Sequence, residues 1–576
     1  MRNFKLPSKN EITKVILSFT KVEWFIFIIL FIVLLVSTIM ILGRINKSFT
    51  VAVPMYGGSV SEGIIGTPRF INPILANTDA DRDLVTLIYS GLMRKGPDGN
   101  MIPDLAEKVD MSKDGTSYIF TLRENIFFHD NTPVTVEDVI FTIDSIKDPI
   151  IKSPRKGVWD GVNVEKIDER NIKFTLSRPF ASFLENTSLG IMPKNIWQDS
   201  PVELNVANTN PIGSGPYKIK KLSKQSSGIV NAYELEAFKK FSLGKPYLKN
   251  ISLKFYQNEE NLLNALKTKS IDQASSITPA SAESLEVKNT INSFTLPRIF
   301  GLFFNQSQNQ IFTNKVVIKA INQAIDKENI INEVLSTYGV VINNPIPANL
   351  IAFQELNLVN KLARSEIITE TKTMLEKDGW VIGPSGYLEK SITNENKKKV
   401  NTILEFSIST GNAPELAKTA ELIKKDLGAI GMKVEVKTFE IGNLNQSVIR
   451  PRDYDALLFG EIINTENDLY AFWHSSQRKD PGLNVAMYTN AKVDKILEDA
   501  FITMDPEVRA KKYIQFEEEI QKDMPAVFLY SPNLIYITLK ELKGLSIKDI
   551  VSPSDRFANV YLWYTKVDNI WKVFSK

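Results

Sequence analysis

A run of 20 residues without a charged side chain, Trp24–Gly43, constrains this chain more than any other stretch of its sequence. A helix of that length is about 30 Å long, which matches the hydrocarbon thickness of a bilayer. A cleaved signal peptide is the alternative, but its apolar region usually spans about 7 to 15 residues and ends at a small-residue cleavage site. No clear A-x-A sequence precedes Met55. We therefore interpret the run as an uncleaved transmembrane anchor.

Basic residues around this run predict its orientation in a membrane. Four lysines precede the run and two basic residues follow it closely: Lys5, Lys9, Lys14 and Lys21 before it, and Arg44 and Lys47 after it. Because cytoplasmic flanks carry the excess of Lys and Arg, the N-terminus is predicted to be cytoplasmic. We therefore expect a cytoplasmic tail over residues 1–23, the anchor over 24–43 and a linker over 44–57. The remainder is expected to be extracytoplasmic, either periplasmic or at the cell surface.

The composition describes a large globular chain. With 576 residues it is too long for one ordinary domain, and 43% hydrophobic residues can supply substantial cores. The 69 Lys and Arg residues nearly balance the 66 Asp and Glu residues, and no basic stripe stands out, which disfavours a nucleic-acid partner. The absence of cysteine excludes disulfides, thiolate metal ligands and a lipid-modified cysteine.

Residues that commonly carry catalysis are scarce in this sequence. Histidine occurs only at His129 and His474, and the sequence contains no H-E-x-x-H, G-x-S-x-G or G-x-x-x-x-G-K-[ST] motif. The loop Gly213–Pro216 has a serine but no base beside it, so we interpret it as a tight turn. His129 is interpreted as a structural histidine bonded to a carboxylate or a backbone group. The sequence thus predicts no enzyme, no cofactor and no metal site.

The stretch from Phe120 to Ile143, FTLRENIFFHDNTPVTVEDVIFTI, combines a strand, a turn and a capped helix. Apolar and polar residues alternate up to Leu122, as in a half-buried strand, and the residues from His129 to Pro133 are typical of a turn. Thr135 and Asp138 then occupy the first and last positions of a capping-box arrangement. We expect the helix to begin there.

Further along the chain, helical and strand patterns alternate. Residues 432–436 alternate as a strand directly after a helical pattern that ends at glycine, which is a step of an α/β domain. Three apolar stripes at helical spacing are predicted to pack in cores: Val317, Ala320, Ile321, Ala324 and Ile325; Leu416, Ala420, Ile423 and Leu427; and Val493, Ile496, Leu497 and Ala500.

The strand–turn–helix unit resembles the "HDG-x-p-x-ta-x-DV" signature of extracytoplasmic solute-binding proteins that serve oligopeptide and dipeptide ABC importers, with Asn131 in place of the usual glycine. Other stretches resemble the same family in the same order: residues 69–120, 211–219, 321–339, 344–347, 425–436 and 483–500. Together they cover nearly everything after the first 55 residues. The chain is therefore identified as a member of this family, solute-binding protein family 5.

The resemblance implies an α/β fold with two lobes, of the periplasmic-binding-protein type II, and an extra subdomain inserted in the first lobe. Its pattern assigns residues 58–85, 213–297 and 521–576 to lobe I, 86–212 to the inserted subdomain and 298–520 to lobe II. The final segment, 561–576, is expected to return to lobe I.

The resemblance also implies a receptor that captures a peptide between its lobes and delivers it to the permease and ATPase subunits of an importer. Main-chain hydrogen bonds to an extended peptide would provide binding that is indifferent to side chains. Three alternatives stay open: a non-peptide solute such as a sugar or metal complex, an extracytoplasmic hydrolase, and a sensor or surface protein without a transport role.

Family members that bind peptides usually supply an aspartate after a "yd-x-x-x-x-GW" motif, and this carboxylate meets the ligand's amino terminus. Here Glu461 stands in place of the tryptophan and Asn464 in place of the aspartate. Asn464 cannot neutralise an ammonium group. Either Glu461, Glu466 or Asp468 substitutes for the aspartate, or the ligand has no free amine.

Analogy with the family places other residues in the cleft. Thr67 and Arg69 lie in the first crossing between the lobes, and Phe300 begins a similar stretch in the second. Trp473 is either an apolar wall of the cleft or a core residue. The predicted ligand-binding set is therefore Thr67, Arg69, Phe300, Glu461, Asn464, Asp468 and Trp473.

Overall fold

The computed structural model describes residues 8–285, 291–347, 363–393, 399–463, 465, 468–546 and 550–574. The chain forms two compact units. The first combines Met1–Gly57 with Tyr564–Lys576, and the second is Gly58–Trp563.

Helices and strands alternate along the chain. The helices are α1 Lys9–Leu17, α2 Lys21–Phe49, α3 Asp79–Ile88, α4 Val136–Lys147, α5 Lys156–Trp159, α6 Phe183–Asn186, α7 Lys194–Trp197, α8 Glu259–Lys267, α9 Pro279–Ser284, α10 Lys315–Ala324, α11 Lys327–Leu335, α12 Arg364–Lys377, α13 Pro414–Ala429, α14 Ile441–Asn443, α15 Asp468–Trp473, α16 Ala491–Ile502 and α17 Pro506–Asp523. The strands are β1 Thr50–Pro54, β2 Ser59–Ile65, β3 Met93–Lys95, β4 Met101–Pro103, β5 Ala106–Met111, β6 Ser117–Leu122, β7 Val162–Lys166, β8 Asn171–Leu176, β9 Tyr217–Lys224, β10 Val230–Ala237, β11 Asn250–Tyr256, β12 Gln273–Ser275, β13 Ile291–Thr295, β14 Arg298–Phe304, β15 Gly339–Val341, β16 Val381–Ile382, β17 Leu388–Thr393, β18 Lys399–Ile403, β19 Glu405–Gly411, β20 Lys433–Phe439, β21 Ala456–Ile462, β22 Ala526–Thr538 and β23 Val567–Trp571.

The first unit consists of a long apolar helix and a two-stranded ribbon. Helix α2 has 29 residues and begins at a capping box in which Thr20 and Glu23 exchange hydrogen bonds. Among the described residues it is the one helix long and apolar enough to cross a membrane. It includes the predicted span of residues 24–43 and extends beyond it at both ends.

The ribbon differs from two expectations drawn from the sequence. Residues 44–57 are not a linker: helix α2 continues to Phe49, and β1 follows it directly. Strand β1 pairs in antiparallel register with β23, so residues 567–571 do not return to lobe I as expected. The physical reason is that β1 and β23 are short strands with β-branched residues, and each satisfies the other's peptide groups.

A large mixed sheet organises the second unit. Its strands lie in the order β20-β19-β21-β14-β22-β12-β2-β11-β10-β9. Strand β22 is shared by both halves: its first residues pair with β14, and its last residues pair with β12 and β13. A separate four-stranded sheet, β5-β6-β8-β7, lies within the predicted inserted subdomain. This mixture of sheets and helices agrees with the predicted α/β class.

Helices cover both faces of the sheet in the half that contains β14. On one face, Leu302 and Phe304 share a core with buried side chains of α10 and α13. On the other face, Phe303 and Leu457 share a core with buried side chains of α15, α16 and α17. The three predicted apolar stripes contribute to these two cores, and the sequence prediction of their packing is confirmed.

The strand–turn–helix unit has the predicted structure. Strand β6 is followed by a turn, in which Asn131 has a φ of 70°, and then by helix α4. The Asp138 carboxylate accepts hydrogen bonds from the Thr135 N–H at 2.8 Å and from the Thr135 hydroxyl at 2.7 Å. The capping arrangement expected from the sequence is therefore present.

His129 has the structural role that the sequence predicts, with backbone groups as its partners. Its Nε2 donates to the Gly215 carbonyl at 3.1 Å, and its Nδ1 accepts from the Gly213 N–H at 3.4 Å. Burial lowers the pKa of His129 to about 4, so the ring is neutral at physiological pH. The ring thus holds the Gly213–Pro216 loop, and the loop packs on the end of α3 through a bond from the Gly215 N–H to Ile88.

A buried ion cluster connects four segments of the lobe that contains β2. The fully buried Arg556 donates to Glu62 at 2.7 Å and to Asp83 at 2.9 Å. Tyr536 on β22 lies with its hydroxyl 3.1 Å from Glu62 and 2.7 Å from Gln273 on β12. Burial raises the pKa of Glu62, although the charge of Arg556 opposes the shift. Removing one member of such a cluster leaves a buried charge without its partner.

Gly213 tests the close approach of its loop to α3. A Cβ atom there would lie 2.1 Å from the Ile88 carbonyl oxygen, a backbone atom that cannot rotate away. We expect Gly213→Ala to lower the free energy of unfolding by about 3 kcal/mol, measured by urea unfolding of the full-length chain in detergent. The control is Gly157→Ala, because a Cβ there meets nothing within 4 Å and a change below about 1 kcal/mol is expected. Equal effects of the two variants would contradict the prediction.

Candidate functional site

Strand ends from both halves of the large sheet meet at one level. Strands β2 and β12 are parallel, β12 is antiparallel to β22, and both therefore run toward the middle of β22. Strand β14 is antiparallel to β22 and begins at the same level, and β21 runs back toward it. In open α/β sheets, ligands bind in crevices outside the carboxyl ends of strands. This level is therefore the candidate site.

The loop after β2 brings Thr67 and Arg69 to this level. Both residues are exposed, while the backbone N–H groups of Arg69 and Phe70 donate to Asp81 at 2.7 and 2.9 Å. The buried Asp81 carboxylate also accepts from Thr78 at the start of α3. One carboxylate thus fixes the loop to the helix and leaves two polar side chains accessible.

Phe300 lies near the start of β14. Its ring stacks on Tyr530 of β22 with centroids 5.0 Å apart and an interplanar angle of 17°. It is paired with Gly460, where a Cβ atom would lie 2.7 Å from the ring. The glycine of the family motif is therefore required here by the space that the Phe300 ring occupies.

Glu461 is a buried carboxyl group at the end of β21. The residue is 2% exposed, and among the described residues no group donates a hydrogen bond to its Oε2. It is paired with Ile299, so the two side chains share the face of the sheet that also bears Phe303. Burial raises the pKa of Glu461 well above its usual range, which favours the neutral acid.

The other predicted site residues lie in different surroundings. Asn464, like Glu466, lies outside the described residues. Asp468 begins α15, and its Oδ2 accepts from the Thr465 N–H at 3.1 Å. Trp473 is fully buried and packs in the core against the rings of Phe303, Tyr488, Phe516 and Phe528. Of the two alternatives for Trp473, its position agrees with core packing and not with a cleft wall.

A cationic cluster at this level was missed by the sequence analysis. Arg82 on α3 pairs with Asp79 at 3.1 Å and donates to the Asn77 carbonyl at 2.8 Å. Arg298 begins β14, and no described group accepts from its buried Nε. Burial lowers the pKa of Arg298, the charge of Asp79 opposes this shift, and the charge of Arg82 adds to it. The two arginines come from opposite halves of the sheet.

Arg155 belongs to the same electrostatic environment. Its side chain is accessible to solvent, yet the surrounding protein lowers its pKa, and the charge of Arg82 lowers it further. Three guanidinium groups from three distant parts of the sequence therefore influence one another. No motif marks them, because only the crossing of the chain between the halves brings them near each other.

Comparison with known proteins identifies the family. The model of the bacterial extracellular solute-binding proteins, family 5, matches residues 100–481. The chain belongs to this family, as its motifs predict.

Individual relatives extend the match over most of the chain. The oligopeptide-binding protein AppA of Bacillus subtilis is 28% identical over 523 residues, which are 89% of this chain and 92% of AppA. The structure of AppA in complex with a nonapeptide has a TM-score of 0.65 and 27% identity, and the match covers 89% of this chain and 100% of AppA. NikZ of Campylobacter jejuni, in complex with Ni(L-His), has a TM-score of 0.65 and 25% identity, with 88% and 99% covered. The predicted two-lobed fold is confirmed.

Glu461 makes stability depend on pH in a direction that can be tested. Its pKa is raised in the folded state, so its contribution to stability is present at low pH and is lost as pH rises through the folded-state pKa. We expect Glu461→Gln to raise the midpoint of thermal unfolding at pH 8 and to have little effect at pH 4. The control is Glu107→Gln, an exposed carboxylate that pairs with Arg170. A Glu461→Gln effect that is equal at both pH values would refute the buried neutral acid.

Proposed function

We propose that this chain is a membrane-anchored extracytoplasmic receptor that binds peptides between its two lobes and delivers them to the permease and ATPase subunits of an ABC importer. The observation that carries this proposal is the convergence of strand ends from both halves of the sheet, in a chain that belongs to a solute-binding family. The similarity to AppA, whose structure holds a nonapeptide, supports a peptide as the ligand. The receptor binds its ligand without chemical change.

The anchor and orientation rest on helix α2. Its 29 residues exceed the apolar region of a signal peptide, and the lysines before it favour a cytoplasmic N-terminus. The ligand-binding unit then lies outside the cytoplasm, where an importer collects its solute.

The proposed lobe boundaries explain how the cleft closes. Phe180, in the proposed inserted subdomain, stacks on Phe501 in the proposed lobe II with centroids 5.5 Å apart. Arg178 lies over the same Phe501 ring, with its guanidinium carbon 4.7 Å from the centroid. These contacts join two parts of the chain without a strand between them. A ligand that touches both lobes stabilises the closed form because its contacts add to these.

The charges around the cleft define the ends of the proposed ligand. Arg298 and Arg82 offer guanidinium groups to an anionic group, such as a peptide carboxylate, which would meet donors from both lobes. Glu461 offers a carboxyl group to an amine, and it would lose its proton when an ammonium group approaches. Thr67, Arg69 and Phe300 complete the proposed contacts.

A second candidate ligand class is a metal complex. The similarity to NikZ, whose structure holds Ni(L-His), favours this alternative within the same fold. It also fits a ligand without a free amine, which agrees with Asn464 in place of the family aspartate.

A ligand screen separates these classes. The full-length chain in detergent is expected to unfold at a higher temperature with pools of short peptides, because a ligand that binds only the folded state stabilises it. Mass spectrometry of material released from the purified protein should identify peptides. Stabilisation by nickel–histidine or sugars, without any by peptides, would contradict the peptide assignment. Hydrolysis of the bound peptides would contradict the receptor assignment.

Arg298 is tested with peptides blocked at one end. We expect Arg298→Gln to weaken the binding of a peptide with a free carboxylate by about tenfold or more, since a charged hydrogen bond is lost. The same peptide with an amidated C-terminus should bind both proteins equally, as measured by calorimetry. The control is Arg170→Gln, which removes a surface arginine paired with Glu107 and Glu124. If Arg298→Gln weakens both peptides equally, the arginine does not bind the carboxylate.

A further inference from the structure

The β1–β23 ribbon continues directly from the apolar helix α2. The helix ends at Phe49, β1 begins at Thr50, and Thr50 is paired with Trp571. The register then runs away from the helix to the pair Pro54 and Val567. Strand β23 thus approaches the helix end as its residue numbers rise. The short 3₁₀ turn Lys572–Phe574 follows β23 and continues in that direction.

Large apolar side chains are exposed at this end of the ribbon. Trp571 is 51% exposed, Val573 86% and Phe574 73%, and Phe49 at the helix end is 55% exposed. The rings of Phe49 and Trp571 stack with centroids 6.3 Å apart and an interplanar angle of 21°. Contiguous exposed apolar groups of this kind mark an interaction surface.

The length of α2 indicates what covers this surface. The helix is about 43 Å long, and about 30 Å of that length spans the hydrocarbon core. Its last six residues, from Arg44 to Phe49, therefore rise through the headgroup region if Trp24–Gly43 fills the core. Trp571 lies beside Phe49, and the Lys572–Phe574 turn points back toward the bilayer. Aromatic side chains are enriched at this depth because one end of the ring is apolar and the other tolerates water.

We propose that the end of the ribbon, Trp571–Phe574 together with Phe49, inserts into the outer phospholipid interface of the membrane that α2 crosses. The lipid interface is the occupant because the surface is covalently continuous with the span and faces the same bilayer. This inference rests on the proposed membrane anchor. The chain then contacts the membrane at two points, and both connections to the ligand-binding unit, at Gly57 and at Tyr564, leave from the ribbon.

A second attachment limits the freedom of the tether. A single helix with a flexible linker would let the receptor rotate about the linker, whereas two paired strands restrict that rotation. The Met55 N–H also donates to the Lys566 carbonyl at 3.0 Å, so the pairing continues past Pro54. The ribbon thus keeps the receptor close to the membrane plane in which a permease lies.

Depth measurements on single-cysteine variants test this proposal, since the natural chain has no cysteine. Val573→Cys and Phe574→Cys carry an environment-sensitive fluorophore in the full-length chain, reconstituted in phosphatidylcholine–phosphatidylglycerol vesicles. Leu35→Cys reports insertion of α2. Val206→Cys, at a residue 85% exposed in the other unit, is the aqueous control.

We expect lipids with a shallow nitroxide to quench the labels at 573 and 574 several-fold more than the label at 206, and a deep nitroxide to quench the label at 35. If the label at 35 is deep while those at 573 and 574 behave like the label at 206, the ribbon does not insert and the anchor stands. If the label at 35 also behaves like the label at 206, the anchor fails, and the inference fails with it.

Discussion

The fold of the ligand-binding unit depends on strand β22, which is common to both halves of the large sheet. Its 13 residues satisfy their peptide groups with β14 at one end and with β12 and β13 at the other. An unpaired buried peptide group is costly, so each lobe must keep its edge along the same strand. The ends of β2, β12 and β21 meet at the middle of β22 for this reason, and the candidate cleft is a consequence of the pairing.

The scaffold and the cleft use charge in opposite ways. Arg556 in the scaffold is fully buried and bonded to both Glu62 and Asp83, so its charge is balanced within the protein. At the cleft, Arg298 has a buried Nε and Glu461 a buried Oε2, and neither atom has a partner among the described groups. Such groups lose their contacts with water without compensation. A ligand that provides a carboxylate and an amine would restore both, which is the physical basis of the proposed peptide binding.

Several elements could be predicted because their determinants are local in the sequence. The capping of α4 by Thr135 and Asp138 depends on residues three apart, and the core stripes of α10, α13 and α16 depend on helical spacing. The family motifs allowed the two-lobed fold to be expected as well. The linker over 44–57 was wrong because its partner, β23, lies more than 500 residues later, and no local pattern reports that pairing.

The sequence by itself determined the class of protein, the apolar helix, the absence of cysteine chemistry and the departure at Glu461 and Asn464. These are properties of residue types and of short spacings. Only the tertiary structure decided that Trp473 packs in a core, that Glu461 is buried beside Ile299 and that Arg82 and Arg298 approach from opposite halves. Burial and long-range proximity arise when distant segments share one sheet, and a side chain's charge and accessibility follow from that sheet.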